Sequence, residues 1–453
     1  MPYLFERIED YTELLMPDDL LSGNSILAYT REAMTPDACE SVESIGWLYQ
    51  FYISEKKDDV FAGLKKNVKV TPENIPAATQ LFTPHWIVRY LVENTLGRLW
   101  MLNNPDSKVI EQMEYYIKPA LGEDGEEQVE SDFLTTSSPE ELKICDPACG
   151  SGHMLTYAYD LLYAIYLDDG RVDPADIPEK ILTNNLYGIE IDERAAELAA
   201  FALTMKAVKG NPNDDGNNRR RFFRNPVKPN ICRIEKVKFS DDELDNYIDF
   251  VGKDLFTSNL TATLKQFDEA DNFGSLIEPE MKSVADVRSV LEATNVEGQL
   301  FLKETHERVL KVLFQADYLN PKYHIVVANP PYMGGKGMNP RMATWLKNNY
   351  PDVKSDLFSA FIVRNTNMTL PKGQLGFMTP FVWMFISSYE KLRSYLINNK
   401  TITSLIQLEY SGFDGATVPI CTFTIQNSHN SDLKGGYIRL SDFKGAKNQA
   451  PKA

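Results

Sequence analysis

The sequence predicts an α/β fold: a doubly wound sheet whose strands alternate with helices, with a helical N-terminal region and surface insertions. Three observations predict it. The stretch LKICDPACGSG (142–152) is an apolar run entering a glycine-containing turn, and HMLTYAYDLLYAIYL follows with Met154, Leu155, Ala158, Leu161, Leu162 and Ile165 on one helical stripe. NNLYGIEID (184–192) and ERAAELAAFALTMKAV repeat the strand-then-helix rhythm. PNICRIEKV, YHIVVANPPY and GQLGFMTP supply three more strands, and ITSLIQLEY and CTFTIQN are available to close the sheet. Strands alternating with helices make doubly wound parallel sheets.

Each region has its own reason. Residues 1–75 read as helical, because SVESIGWLYQFYISEKKDDVFAGL places Ile45, Leu48, Phe51 or Tyr52 and Val60 at helical spacing. Residues 76–430 form the sheet domain, with insertions expected at about 208–230 and 234–320, where charge, Pro and Asn suit loops and peripheral helices. Residues 431–453 read as a tail, disordered over KGAKNQAPKA. The 453 residues suffice for one large domain with additions or for two to three domains, and 43% hydrophobic with 25% charged residues is a soluble, globular composition. No apolar run reaches the ~20 residues of a membrane span. The acidic start MPYLFERIEDYTELL has no signal-peptide apolar region, so export is not expected. Five cysteines are scattered, and the pair Cys145 and Cys149 has no second pair or His cluster, so no metal site and a reducing cytoplasm are expected. The net charge of −17 opposes general binding to a polyanion.

Two motifs carry binding chemistry. In DPACGSG (146–152), Gly150 and Gly152 can adopt turn conformations closed to other residues and let a ligand approach backbone. Doubly wound sheets bind ligands at the carboxyl ends of their strands, where this turn lies. The motif is neither G-x-G-x-x-G nor a Walker sequence, so a phosphate cradle is not expected. In YGIEIDERA, Glu190 and Asp192 lie two residues apart and share a face. Glu190 is the candidate to accept two hydrogen bonds from a ribose diol, with Ile191 against an adenine ring, while Asp192 suits a helix cap.

DPACGSG, GIEID and NPPY, in that order, resemble S-adenosylmethionine-dependent DNA amino-methyltransferases. ATQLFTPHWIVRYLVENTLG resembles motif X of that family, which precedes motif I in the gamma permutation and so implies adenine N6. SDLFSAFI is similar to motif V, GQLGFMTP to the strand after it, and GFDGATVPICTFTI to motif VIII. The set spans about residues 44 to 427. IGWLYQFY and DEADNFGSLI further resemble the large PglX-type methyltransferases of BREX phage defence and their relatives, the fused type II restriction–modification enzymes.

The resemblance implies a Rossmann-like class I methyltransferase sheet and S-adenosylmethionine as cofactor, held by Asp146, Ala148, Gly150, Gly152, Glu190 and Ile191. Thr83, before Pro84, either caps the helix while contacting the methionine moiety or caps it alone. Asp271 is the motif III acid for the cofactor adenine, with Asp254 as rival. It also implies DNA as substrate, together with a target-recognition domain or other defence subunits, this chain alone gripping DNA weakly. The catalytic element is Asn329, Pro330, Pro331 and Tyr332. The exocyclic amine of adenine is a poor nucleophile because its lone pair is delocalised. The Asn329 side-chain oxygen and the Pro330 carbonyl can accept from that amine and restore its lone pair, Pro331 stiffens the turn, and Tyr332 offers a flat face to the extruded base. Phe413 is a candidate to stack opposite Tyr332. His153 reads as a polar helix start and RRRFFR (219–224) as a solvated loop. The competing readings are a nuclease using Asp37, Glu55 and Lys57, a silent scaffold, and a methyltransferase acting on RNA or protein.

Overall fold

A computed structural model describes residues 11–35, 43–119, 130–209, 225–252, 259–296, 300–320, 322–410 and 418–453. Eight strands form one sheet: β1 (Ile144–Asp146), β2 (Leu186–Glu190), β3 (Asn230–Arg233), β4 (Tyr323–Ala328), β5 (Thr369–Pro380), β6 (Thr401–Gln407), β7 (Ile420–Gln426) and β8 (Gly436–Arg439). Their order is β3-β2-β1-β4-β5-β7-β6-β8. The strands from β3 to β5 are parallel, whereas β7 runs antiparallel to both β5 and β6. The fold is the doubly wound α/β sheet expected from the sequence, corrected in one respect: it is mixed rather than wholly parallel.

Helices cover both faces. The main ones are α1 (Glu43–Lys65), α2 (His85–Val92), α3 (His153–Asp169), α4 (Glu193–Lys209), α5 (Leu300–Tyr318), α6 (Leu357–Met368) and α7 (Glu390–Asn399). On β4, Ile325, Val326, Val327 and Ala328 have no exposed surface. Successive side chains of a strand face opposite sides, so a continuous apolar run is what a strand buried on both faces requires. Ile325 and Val327 accordingly join α2 and α3 in one core, while Val326 and Ala328 join α5 and α6 in the other.

The expectation for 234–320 was too peripheral. Within it, α5 presents Val309, Val312, Leu313 and Ala316 with no exposed surface and leads into β4. It is the crossover that parallel pairing demands, and the charged residues on its outer face made it read as an insertion. The tail is also more ordered than expected. Gln449 is fully buried and accepts a hydrogen bond from the Glu409 amide (3.0 Å), and β8 extends the sheet beside β6. Among the described residues, no helix is long and apolar enough to cross a membrane.

The topology sets the position of the site. β1 lies between β2 and β4, so the chain winds away from it in both directions and leaves a crevice at its carboxyl end. The turn after β1 is tight: the Cys149 amide reaches across to the Ile189 carbonyl (3.0 Å) and the Gly152 amide bonds back to Cys149 (2.8 Å).

Candidate active site

The cleft at the carboxyl ends of β1, β2 and β4 holds about 1120 Å³ of space between atoms, part of it open to solvent. Asp146, Ala148 and Gly150 form its floor, and Glu190 and Ile191 one wall. Asn272 to Leu276 form another, and Thr83, Asn329 and Pro331 close the far end. The Glu190 carboxylate is fixed by three backbone donors: Oε2 accepts from Gly150 (2.7 Å), and Oε1 from Ile191 (2.8 Å) and Asp192 (2.9 Å). A carboxylate oxygen has two acceptor sites, so Oε2 keeps capacity for a ligand hydroxyl. Asp192 Oδ1 accepts from the Ala195 amide (3.0 Å), the helix cap expected of it.

The two glycines of the turn do different work. At Gly150, with φ +52°, a Cβ would meet nothing within 4 Å, so its backbone borders open space in the cleft. At Gly152, with φ +85°, a Cβ would lie 3.1 Å from the Ala199 Cβ. Gly152 does not line the cleft; it lets α3 and α4 pack, which corrects its expected cofactor contact.

The floor is electrostatically strained. Asp146 is 2% exposed and, among the described residues, meets a single hydrogen-bond donor, the Ala148 amide (3.1 Å). Burial pushes its carboxyl up to about 8, the Ala148 amide opposes the shift, and the charge of Glu190 adds to it. Burial also raises Glu190, against its three amide donors. Burial and the neighbouring Glu190 charge both disfavour ionisation of Asp146. The acid on the β2 end for a ribose, the apolar Ile191 and Phe273 for a purine, and Asp146 for a cationic group fit S-adenosylmethionine.

At the far end, Asn329 follows β4 directly. Its Nδ2 donates to the Leu81 carbonyl (2.9 Å) and to Thr83 Oγ1 (3.1 Å). Both amide N–H groups are therefore spent, and the remaining capacity lies on Oδ1. The Tyr332 hydroxyl stands 2.7 Å from that Oδ1 and 2.9 Å from the Met378 carbonyl. It has one proton and donates to one of them at a time. The loop is held from below by Asp356, whose Oδ1 accepts from the Met333 amide (2.9 Å) and which caps α6.

Several expectations change on this geometry. Thr83 does not cap the following helix, whose N-cap Pro84 has no side-chain bond; its hydroxyl orients Asn329. Pro330 is buried behind the loop, and the Tyr332 ring stands edge-on to Phe358 (6.2 Å, 88°), so neither lines the cleft. Asp271 is turned away: its carboxylate pairs with Lys236 (3.0 Å), and its neighbour Asn272 faces the cleft instead. Asp254, Phe413, Asp37 and Arg219 to Arg224 lie outside the described residues. His153 borders the cleft with its ring stacked on Phe82 (4.4 Å). Glu55 and Lys57 sit within α1 rather than on a sheet edge, and Lys57 donates to the Gln80 carbonyl (2.9 Å).

Sequence reasoning missed the part that α1 plays. Gly46 and Gln50 line the cleft, and a Cβ on Gly46 would lie 2.8 Å from Ser151 Oγ. The signal was a glycine inside a helical pattern, which marks close approach. It also missed Arg364, which is wholly buried and donates to the carbonyls of Ser275 (3.1 Å), Ile277 (2.8 Å) and Leu319 (2.5 Å), bracing the 272–276 wall.

Comparison with known proteins agrees with this architecture. Residues 184–413, just over half of the chain, match the model of the Eco57I restriction-modification methylase family, and residues 133–228 match that of the MmeI DNA-methyltransferase domain. The chain is 40% identical, over 98% of its length, to the adenine-specific methyltransferase BrxX of Escherichia coli O9:H4 (strain HS). It is 32% identical, over 99% of its length, to the adenine-specific methyltransferase PglX of Lacticaseibacillus casei (strain Zhang). It spans 38% and 37% of the lengths of those two relatives. The type II restriction enzyme and methyltransferase RM.Eco57I of Escherichia coli is 22% identical over 89% of this chain and 33% of that relative. The chain belongs to the Eco57I restriction-modification methylase family.

Proposed function

We propose that this chain carries the methyl-transfer centre of an adenine-specific DNA methyltransferase, acting on the N6 amine of an extruded adenine in a BREX-like phage-defence setting. The observation that carries the reading is the committed amide of Asn329. Its two N–H groups are tied to Leu81 and Thr83, so a base amine entering the cleft meets an acceptor rather than a donor. The names of the relatives support adenine, and the matched MmeI DNA-methyltransferase domain supports DNA.

Bound S-adenosylmethionine would supply an electrophilic methyl group on a sulfonium centre. The chain's own residues do the rest. Glu190 holds the ribose, Ile191 and Phe273 flank the purine, and Asp146 faces the cationic end. The Tyr332 hydroxyl turns to the Met378 carbonyl as the base arrives and releases Asn329 Oδ1. That oxygen then accepts a hydrogen bond from the amine and localises the nitrogen lone pair for attack, and the surplus proton of the methylated nitrogen would pass to solvent. Positioning and electrostatics supply the rate, with no covalent enzyme intermediate. Recognition of a DNA sequence belongs to a target-recognition domain or to other defence subunits. The chain itself, at −17, grips duplex DNA weakly. The four described cysteines are buried free thiols, which fits the cytoplasm.

Three outcomes test this reading. Asn329→Ala keeps S-adenosylmethionine affinity within about twofold of the parent and lowers transfer to adenine by ~10²–10³, because an acceptor used mainly at the transition state is gone. Calorimetry that finds the cofactor lost in this variant contradicts the assignment.

Glu190→Ala weakens the cofactor by roughly ten- to a hundredfold, the cost of a charge-assisted bond to a ribose hydroxyl. Asp192→Ala should leave affinity nearly unchanged in the same titration. The reverse pattern moves the ribose contact to Asp192.

Asp146 gives binding a pH dependence. In the free protein its carboxyl is protonated below about 8. A cation beside it favours the ionised form, so binding expels a proton and tightens as pH rises towards 8, then levels off. Calorimetry in buffers of different ionisation enthalpy reads that proton directly. Asp146→Asn should abolish its release, and release that persists in the variant places the titration elsewhere.

A further inference from the structure

The carboxyl edge beside the catalytic loop carries a feature that the methyl-transfer chemistry does not use. Ala328 pairs with Phe377 across β4 and β5, so the residues past Pro380 emerge beside those past Ala328, where Asn329 stands. There the chain makes a short loop that exposes two large apolar side chains, Phe385 at 66% and Ile386 at 46%. The loop beneath them is rigid. Trp383 is buried and its indole N–H donates to Thr379 Oγ1 (3.2 Å). One guanidinium nitrogen of Arg393, on α7, donates to the carbonyls of Trp383 (2.6 Å) and Ile386 (2.7 Å). Tyr389 packs on Phe358 (5.4 Å), and Phe358 in turn meets Tyr332 (6.2 Å). A braced loop that holds a Phe and an Ile in solvent gains nothing for the core.

The charge around it is unusual for so acidic a chain. Lys69 Nζ binds the carbonyls of Gly335 and Lys336 (2.9 and 2.8 Å), Gly334 bridges to Asp356, two residues after Lys354, and an ion pair between Asp352 and Lys391 joins this edge to α7, which carries Arg393. Among the described residues, Lys69, Lys336, Lys354 and Arg393 have no carboxylate partner within ion-pair distance. The nearby acids are engaged: Asp352 pairs with Lys391, Asp356 caps α6, and Glu390 opens α7, where a helix N-terminus favours it.

We propose that Phe385 and Ile386 form a wedge that enters the base stack of duplex DNA beside the extruded adenine, with Lys69, Lys336, Lys354 and Arg393 on the flanking phosphates. This rests on the reading of an adenine in DNA as substrate. A base inside a duplex is out of reach of Asn329 until it leaves the stack, and apolar side chains pushed between base steps are a known physical means of opening them. The wedge stands one strand from the acceptor, on the edge where local positive charge meets the polyanion.

The test compares the parent chain with the variant carrying Phe385→Ser and Ile386→Ser. Both positions are exposed, so the fold should hold, and thermal unfolding together with S-adenosylmethionine titration checks that it does. Single-turnover methyl transfer is measured on a duplex with a paired adenine and on one with the adenine opposite an abasic site, where no base pair remains to be broken and extrusion costs less. The expected result is a loss of tenfold or more on the paired duplex and of less than threefold on the other. Equal losses on both, or none on either, overturn the wedge. So does a variant that transfers normally but no longer self-associates in sedimentation, since the patch then covers a second copy. A separate reading uses 2-aminopurine at the target position. If the parent brightens it and the variant does not, the wedge stands even where no methyl is transferred, and the methyl-transfer reading alone fails. No brightening by the parent, at a concentration where anisotropy shows the duplex bound, overturns the wedge.

Discussion

The site depends on the tie between Asn329 and the segment that precedes the second helix. An amide side chain can present either its oxygen or its nitrogen, and only the oxygen can activate an amine. Here the choice is made by Leu81 and Thr83, almost 250 residues upstream, which consume both N–H groups. The tie needs three things at once. β4 must end at Ala328, the 80–84 segment must cross to the same edge, and the loop must be held by Asp356 from α6. The order of the chain elements follows from this need, because the segment before β1 supplies the partners for the residue after β4.

The second constraint is the pair of buried carboxyls. Asp146 and Glu190 sit on adjacent parallel strands and disfavour each other's charge. In a protein without a cationic ligand this would be a plain cost. Beside a cleft large enough for a nucleoside it is binding energy held in reserve: the ligand that brings a positive charge relieves it.

Much of this was legible in the sequence. The strands at DPACGSG, GIEID and VVANPPY are written as apolar runs ending at turns, and the topology places their ends together. What the letters did not show was direction and approach. β7 pairs antiparallel between β5 and β6, and periodicity carries no sign for strand direction. Helix α5 read as an insertion because its outer face is charged, although the opposite face builds the core. Thr83 and Asp271 were assigned by position in a motif, yet hydrogen bonding decided both: Thr83 serves Asn329, and Asp271 serves Lys236. Gly46 and Arg364 act through close packing and through backbone carbonyls, which leave no pattern along the chain.

The central claim is that this chain delivers a methyl group to adenine N6, and one measurement addresses it most directly. The chain is incubated with genomic DNA and S-adenosylmethionine carrying an isotopically labelled methyl group, and the DNA is then digested to nucleosides and separated. The account predicts label in N6-methyladenine alone. Label in a methylated cytosine would contradict the geometry assigned to Asn329. Label absent from DNA but present in RNA or protein offered in the same mixture would contradict the assigned substrate.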